Sequence, residues 1–423
     1  MTTSLPASVT SEASERGPRV IGVDIARALA VLGMIAVHTA TAQQIGDTAF
    51  FLLSGRSAIL FALLAGVSLA LTTGEDAPLR GGPLRAARRS IAARALVLLV
   101  VGMALVELGS PVMVILATYA VLFWLVLPVL RWSWQRLAVA AAVGAVAGPA
   151  LSWWIRSAGE PAETFGETPR FDLFTSGEGI RHLGSVLFVD GAYPVLTWLP
   201  FVLAGLAIGR WGVRRDRAPR TLIVVGSALA VAGYGGSWLA LHGFGGYDVL
   251  VSHLEVIVPG EGAQMLDELL RSSGFGTFGV DPWQWILTAS PHSGTPFEVV
   301  GSGGVAIAVL GVCLASVTTR AARAGWLSPL VALGAMPLTV YVGHVVALAV
   351  LIRWELFAPS WPMALGFLVV PVVFAVLWRR VARRGPLEWL LRRVGIVAAR
   401  GRLPRASTKG GETASIGQED SRR

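Results

Sequence analysis

Asp24, Arg27 and His38 are ionisable residues within one strongly apolar stretch near the start of the chain. They fall in the run RVIGVDIARALAVLGMIAVH, residues 19–38, which otherwise has the composition of a membrane-spanning helix. An ionisable side chain in a span costs about 2.5–3.5 kcal/mol on insertion scales, so such residues usually face the bundle interior and mark a functional pathway. Asp24 and Arg27 are three positions apart and share a helical face, whereas His38 lies roughly 20 Å further along the axis. We therefore expect the Asp24–Arg27 pair near one membrane surface and the imidazole near the other.

Each of these residues has a structural and a chemical interpretation. Asp24 and Arg27 form either an ion pair that fixes the helix at the surface or a site for a cofactor phosphate, with Arg27 as the contact and Asp24 orienting it. His38 is either a satisfied interfacial histidine or a general base or acyl acceptor, because imidazole titrates near neutral pH. Arg56, in the next apolar run, either snorkels to the surface or binds an anion or a developing oxyanion.

A second group of candidates lies around residues 291–298, with the sequence PHSGTPFE. Thr295 as the N-cap, Pro296 at the first helical position and Glu298 three residues after the cap predict a capping box that starts a helix. This pattern does not explain His292, which stands beside a helix N-terminus where an anion is favoured. His292 is therefore the second candidate for acid–base chemistry. The chain has no HxxxH or HExxH spacing, and we expect no zinc site.

Two further pairs lie in later apolar runs. Tyr341 and His344 are three positions apart, so they share one face of a predicted span. They are either a buried histidine satisfied by a neighbouring group or the polar wall of a central cavity. Tyr193 and Trp198 begin another span, where proline and aromatic residues are ordinary interfacial anchors.

The composition places these residues in a membrane protein. The 423-residue chain is 54% hydrophobic and only 14% charged, against about 25% charged in a typical soluble domain. Its net charge is +9, and Lys409 is the only lysine. The arginines fall in short clusters between apolar runs, which is the positive-inside pattern and argues against nucleic-acid binding. Cys313 is the only cysteine, so no intrachain disulfide can form.

The apolar runs predict an all-α, polytopic integral membrane protein with about ten transmembrane helices and both termini cytoplasmic. The predicted spans are residues 19–38, 50–72, 95–108, 112–130, 137–155, 193–210, 222–241, 297–317, 327–352 and 363–381, the third starting back near Ile91. We expect a disordered lead at residues 1–18, a membrane domain at 19–382 with outer caps at 156–192 and 242–296, and a basic cytoplasmic tail at 383–423, disordered beyond about residue 402.

The opening run resembles the R-x-x-G/S-x-D-x-x-R-G-x-A-x-x-G/L-M-x-x-V-N/H signature of the heparan-alpha-glucosaminide N-acetyltransferase-like family and of the related bacterial YeiB-like membrane proteins. Further matches are LFALLAGVS at 60–68, YPxxxW at 193–198 with Gly205 and Gly209–Arg210, HxGT at 292–295 and GxMxLTxYxxH at 334–344. The sequence departs from the pattern at Ala28, which replaces the usual glycine. The loop at 39–49 also lacks the longer segment that carries the catalytic histidine in the glucosaminide enzymes.

The resemblance implies a membrane-embedded acyltransferase that moves an acetyl or other acyl group from cytosolic acyl-CoA to an extracytoplasmic glycan, lipid or cell-envelope acceptor. The expected partners are the lipid bilayer and this acceptor, in a bacterial cytoplasmic (inner) membrane, with no metal and no nucleic acid. The implied residues are His38 and His292 for catalysis, Asp24, Arg27 and Arg56 for the acyl-CoA, and Tyr193, Trp198, Thr295, Glu298, Tyr341 and His344 around the substrate cavity.

Two other classes of function remain open at this point. A transporter or flippase could use Asp24, Arg27 and His344 as a charge relay across the membrane midplane. A membrane scaffold would depend on the outer caps and on none of these side chains.

Overall fold

The computed structural model describes residues 19–159, 166–319 and 325–400, and in those ranges all regular secondary structure is helical, with no β-strand. Its helices are α1 (Ile21–Thr39), α2 (Ala42–Ile45), α3 (Asp47–Leu53), α4 (Arg56–Thr72), α5 (Gly81–Val106), α6 (Leu116–Val126), α7 (Trp134–Ala158), α8 (Gly177–Ser185), α9 (Val195–Trp211), α10 (Ala218–Trp238), α11 (Gly246–Ile257), α12 (Gly262–Arg271), α13 (Pro296–Ser316), α14 (Ser328–Gly334), α15 (Pro337–Arg353), α16 (Trp361–Val381) and α17 (Pro386–Arg400). The predicted all-α class is confirmed.

Several of these helices can cross a membrane. Within the described ranges, seven segments are long and apolar enough to do so, and eight are if the bent pair Gly177–Asp190 and Val195–Trp211 forms one span. Helices α6 and α15 are apolar but shorter than the roughly 20 residues that a straight span needs. Every one of the ten predicted spans is helical over most of its length, and the chain is a polytopic membrane protein.

The ninth predicted span, residues 327–352, is interrupted. The chain leaves helical geometry at Met336 and restarts at Pro337, which suits the first position of a helix because it has no N–H to leave unpaired. The first free backbone N–H groups of α15 donate to Glu388 of α17, at 2.7 Å from Leu338 and 3.1 Å from Thr339. The prediction of one continuous helix was wrong here, because a residue distant in sequence supplies the cap.

Helix α1 lies at the centre of the bundle. It is buried over most of its length and packs against α4, α13, α14, α15 and α16. Small residues allow the close approach: a Cβ at Gly22 would lie 2.8 Å from the Cα of Leu314, and one at Gly334 would overlap the carbonyl oxygen of Asp24. The helix that carries three candidate site residues is therefore held on several sides.

The contact between α4 and α9 is made by two facing glycines. A Cβ at Gly66 would overlap the carbonyl oxygen of Val202, and one at Gly205 would overlap that of Leu63. Backbones approach this closely only where neither helix has a side chain, which is how small residues stabilise helix pairs in membranes.

Arg210 joins three segments at one end of the bundle. Its guanidinium donates to Thr73 Oγ1 at 2.7 Å, to the carbonyl of Leu130 at 2.5 Å and to the carbonyl of Glu75 at 2.5 Å. Because an arginine presents several donors in a fixed plane, one side chain can satisfy all of these loop oxygens.

The predicted outer cap at 242–296 is folded. Helices α11 and α12 pack together around a small core of Leu241, Leu250, Leu254 and Leu266. The cap at 156–192 contains α8, and its residues 160–165 lie outside the described ranges.

The predicted tail begins with α17, which packs on α5. The predictions of disorder for residues 1–18 and beyond 402 also fall outside the described chain.

We expect Gly66→Ala to lower the free energy of unfolding by about 1–3 kcal/mol, because overpacking a tight helix contact forces the backbones apart. The loss of stability is measured by thermal unfolding in detergent, monitored through tryptophan fluorescence. Gly235→Ala is the matched control, since a Cβ there meets no atom within 4 Å. Equal unfolding temperatures for the two variants would contradict the packing described.

Candidate active site

The predicted Asp24–Arg27 pair forms and links two helices. Arg27 Nη1 donates to Asp24 Oδ1 at 2.9 Å, and the Nε of Arg19 also bonds to this carboxylate, which is 1% exposed. Arg27 Nη2 donates to Ser68 Oγ on α4 at 2.5 Å. Asp24 therefore neutralises and positions Arg27, and Ser68, the last residue of the LFALLAGVS match, is a partner that the sequence did not relate to Arg27.

Arg27 lines a cavity of about 260 Å³ at the end of the bundle where α1 begins. Its side chain is 23% exposed, although the carboxylate it pairs with is buried. The other lining residues come from α4, α5, α6, α15 and α17, and include Ser68, Arg94, Tyr119 and Leu338. The guanidinium is thus fixed by protein contacts and still open to a ligand.

A larger cavity of about 1190 Å³ adjoins this pocket and shares Thr72, Ile91, Arg94, Ala335 and Glu388 with it. We call it the arginine cleft, because its lining includes Arg19, Arg94, Arg379, Arg383, Arg384 and Arg392. Among the described residues that line it, the one carboxylate is Glu388, whose oxygens already accept bonds from Leu338 and Thr339. The cleft is therefore strongly positive. The sequence showed Arg19 as the first residue of a predicted span and the other arginines as charges between or after apolar runs, and it did not predict that they converge.

His38 and His344 are in direct contact. His38 Nδ1 lies 3.1 Å from His344 Nε2, and the two rings are nearly parallel, with centroids 5.4 Å apart. Tyr341 lies edge-on to His344 with a centroid distance of 5.1 Å. Two candidates that the sequence proposed separately, on α1 and α15, thus form one hydrogen-bonded pair.

Arg56 does not snorkel to a membrane surface. It is 4% exposed, and its Nε donates to the Tyr234 hydroxyl at 2.9 Å, which bonds to Ser302 Oγ at 2.8 Å. Its Nη1 donates to the backbone carbonyls of Phe51 and Ser54, where the chain bends between α3 and α4. The guanidinium is a fixed, buried cation, and the snorkelling interpretation is wrong.

His292 lies beside Arg56, with Tyr193 and Trp198 around it. Its ring centroid is 5.6 Å from that of Tyr193 and 6.1 Å from that of Trp198. A Cβ at Gly55 would lie 3.3 Å from the His292 backbone nitrogen, so the two loops touch. His38 and Arg56 are both near enough to His292 for their charges to interact with it. Its backbone adopts a positive φ of 57°, a conformation that is uncommon for non-glycine residues.

Thr295 and Glu298 complete the group, and only half of the predicted capping box forms. Thr295 Oγ1 accepts from the Glu298 backbone nitrogen at 3.1 Å and donates to the Thr288 carbonyl at 2.5 Å. Glu298 Oε1 is buried without a hydrogen-bond partner. Thr295 is therefore the N-cap of α13, and the carboxyl of Glu298 lies close to Ser302 and to the backbone of Gly294 instead of capping the helix.

Several buried polar atoms in this region lack a hydrogen bond of normal geometry. They are His292 Nδ1, Glu298 Oε1, the Tyr341 hydroxyl, close to the backbone of Ile115, and His344 Nδ1, close to the carbonyls of Val340 and Tyr341. Most buried polar groups in proteins are paired, so a concentration of unpaired ones indicates a site that binds polar groups. We call His38, His292, His344, Arg56, Tyr341 and Glu298 the histidine cluster.

The sequence-derived candidates thus separate into two groups. Arg27, bonded to Asp24, lines the smaller pocket that adjoins the arginine cleft, and Arg56 belongs with the histidine cluster, away from the position expected of a donor-binding residue. Tyr193, Trp198 and Thr295 lie around that cluster. The structure adds Tyr234 and Ser302, which are isolated polar residues in apolar runs; their spacing did not relate them to Arg56.

We expect Asp24→Ala to lower the free energy of unfolding by about 3–5 kcal/mol, because it leaves Arg27 without its buried counter-charge. Arg19→Ala is the control: Arg19 is 45% exposed, and exposed pairs contribute only about 0–1 kcal/mol. Chemical denaturation in detergent compares the two variants, and equal losses would mean that the carboxylate does not hold Arg27 in place.

Two protein-family models match the chain. The family model described as heparan-alpha-glucosaminide N-acetyltransferase, catalytic, matches residues 19–235, just over half of the chain. A second model, a protein of unknown function (DUF418), matches residues 282–397. No curated protein matches the sequence. The first match contains Asp24, Arg27 and His38, and the second contains His292 and His344, so the histidine cluster combines both. The resemblance seen in the sequence is confirmed, and the chain belongs to the heparan-alpha-glucosaminide N-acetyltransferase catalytic family of membrane acetyltransferases.

Proposed function

We propose that the protein transfers an acetyl or other acyl group from acyl-CoA, bound in the arginine cleft, to a hydroxyl or amine presented at the histidine cluster. The acceptor is a glycan, a lipid or another cell-envelope molecule. By the positive-inside rule, we assign the arginine cleft to the cytosolic face and the histidine cluster to the far side of a bacterial inner membrane. The observation that carries this proposal is the continuity between the arginine cleft and the pocket of Arg27.

The cleft suits the donor because coenzyme A carries several phosphate charges on a long molecule. Arginine binds phosphate oxygens with paired hydrogen bonds and keeps its charge when partly buried. The arginines of the cleft can hold the nucleotide end, while Arg27 lies further in, where the narrower pocket begins. Asp24 and Ser68 hold Arg27 in position, so little rearrangement is needed on binding.

The histidine cluster suits the transfer step. A neutral imidazole, His38 or His292, takes the proton of the acceptor O–H or N–H as that oxygen or nitrogen bonds to the thioester carbon. The C–S bond then breaks, and the coenzyme A thiolate receives the proton from the imidazolium. His344 orients His38 through their hydrogen bond. Arg56 is a fixed cation near His292 and can stabilise the oxyanion formed on the thioester carbonyl.

One observation favours a second function. The break between α14 and α15 puts a helix N-terminus inside the bundle, as in many transporters, where such N-termini bind anionic groups of the substrate. Here Glu388 already occupies that N-terminus. Asp24 is likewise bonded to both Arg19 and Arg27, which leaves it poorly suited to relay protons. These contacts favour the acyltransferase over the transporter.

For the donor site, we expect Arg27→Ala and Arg392→Ala each to weaken acetyl-CoA binding about tenfold or more, since a hydrogen bond to a charged group contributes about 1.5–3 kcal/mol. Equilibrium binding of radiolabelled acetyl-CoA to the purified protein measures this. Arg136→Ala, which removes an exposed arginine outside the cleft, should bind normally. If the wild type binds neither acetyl-CoA nor longer acyl-CoAs, the donor assignment is wrong, and ion-gradient-dependent flux in vesicles becomes the test of the transporter.

For the chemistry, we expect His38→Ala and His292→Ala to lower the turnover of acetyl-CoA by about 10²–10⁴-fold, the usual contribution of a positioned acid–base group. The affinity for acetyl-CoA should stay within about twofold of wild type, because both residues lie away from the cleft and lose no bond to it. Release of free coenzyme A thiol measures turnover. His182→Ala is the control, since His182 pairs with Glu167 in the outer cap. Full turnover in both site variants would exclude this mechanism.

A further inference from the structure

An apolar groove lies between α15 and α16, with His344 in its wall. Its volume is about 480 Å³, and its lining is hydrocarbon apart from Thr339 and His344. Helix α16 packs mainly against α14 and α1 and makes few contacts with α15, so a gap remains between two consecutive helices. Helix α16 is also a candidate span with much of its surface exposed, including Val369 and Val370. The groove therefore faces the region that the bilayer occupies.

Two glycines keep this groove open. A Cβ at Gly343 on α15 or at Gly366 on α16 would meet no atom within 4 Å. Glycine weakens the interior of a helix and is normally retained where a neighbouring backbone needs the space. Here no neighbouring group of the described chain uses that space, unlike at Gly66 and Gly205.

His344 gives the groove a polar wall. It is 3% exposed, its Nε2 contacts His38, and its Nδ1 lies close to the carbonyls of Val340 and Tyr341 without a hydrogen bond of normal geometry. A buried polar group beside hydrocarbon is costly unless a partner satisfies it. A ligand that suits both features has a hydrocarbon chain and, at one end, a group that forms hydrogen bonds.

We propose that this groove holds the hydrocarbon chain of the acceptor, and that the acceptor is a lipid of the surrounding bilayer whose hydroxyl or amine reaches the His38–His344 pair. The inference rests on the proposed acyl transfer and specifies its substrate class. The acyl donor reaches α15 through a different cavity, the one lined by Arg27 and Leu338. Donor and acceptor thus approach the histidine cluster from separate sides.

The reaction balances with these two substrates. The lipid hydroxyl or amine gives its proton to an imidazole nitrogen as it bonds to the thioester carbon. The C–S bond breaks, and the imidazolium returns the proton to the departing coenzyme A thiolate. The products are an acylated lipid and free coenzyme A.

The test fills the groove by substitution. Gly343→Leu and Gly366→Leu put a side chain into empty space and replace glycine by a better helix former, so both variants should fold. Gly235→Leu on α10 is the matched control, since its site is also open. Each protein is placed in phosphatidylcholine nanodiscs, whose host lipid has no free hydroxyl or amine, with a small share of phosphatidylethanolamine that carries a diazirine on its acyl chain. After illumination, mass spectrometry maps the labelled peptides.

We expect wild type and Gly235→Leu to be labelled at residues of the groove such as Met363 and Phe367. Gly343→Leu and Gly366→Leu should lose that labelling about tenfold, which corresponds to 1.4 kcal/mol of binding. The photoreactive phosphatidylethanolamine also labels other exposed helices as it diffuses through the bilayer. That labelling should stay constant in all four proteins and serves as the internal reference. Absence of groove labelling in the wild type, or equal labelling in the filled variants, would overturn the inference.

An activity measurement on the same proteins separates this inference from the proposed function. Release of coenzyme A from acetyl-CoA is followed with phosphatidylethanolamine and, separately, with hydroxylamine as a small soluble nucleophile. The filled variants should lose about tenfold with the lipid and keep wild-type rates with hydroxylamine. Equal loss with both acceptors, or no loss with either, counts against the groove. If the wild type releases no coenzyme A with any acceptor, the acyltransferase proposal fails, and the labelling result alone decides whether the groove binds lipid.

Discussion

The buried carboxylate of Asp24, bonded to Arg19 and Arg27, is the interaction on which the rest of the structure depends. A charged group inside a helix bundle is tolerated only when it is paired, and this pairing fixes both the depth of α1 and the direction of Arg27. The backbone beside Asp24 also touches Gly334 at the break between α14 and α15. The helix that carries His38 is therefore anchored at its other end by charge.

Along α1, the proposed donor-binding site is separate from the proposed site of acyl transfer. The arginine cleft and Arg27 lie where α1 begins, and His38 lies near its end against His344. The proposed transfer between these two sites needs a donor long enough to extend from one to the other, as coenzyme A is. It also needs an acceptor that approaches from elsewhere, for which we propose the groove between α15 and α16. The two family models match different parts of the chain, and the histidine cluster contains residues from both parts.

Local patterns in the sequence predicted most of the helices, the Asp24–Arg27 contact and the Thr295 cap, because each depends on residues a few positions apart. The contacts that it missed join distant segments. Arg56 looked like an isolated charge because its partner Tyr234 follows 178 residues later. The break at Met336 was hidden because its cap, Glu388, belongs to a helix read as a tail. The arginine cleft needed the folded positions of α5, α16 and α17, which charge counting along the chain does not provide.

The most direct test of the account is a cryo-electron microscopy structure of the protein in nanodiscs with acetyl-CoA. The account predicts density for the nucleotide among Arg379, Arg383 and Arg392, with the pantetheine arm passing Arg27 and the thioester pointing towards His38 and His344. Nucleotide density at any other surface, with an empty cleft at saturating acetyl-CoA, would contradict it.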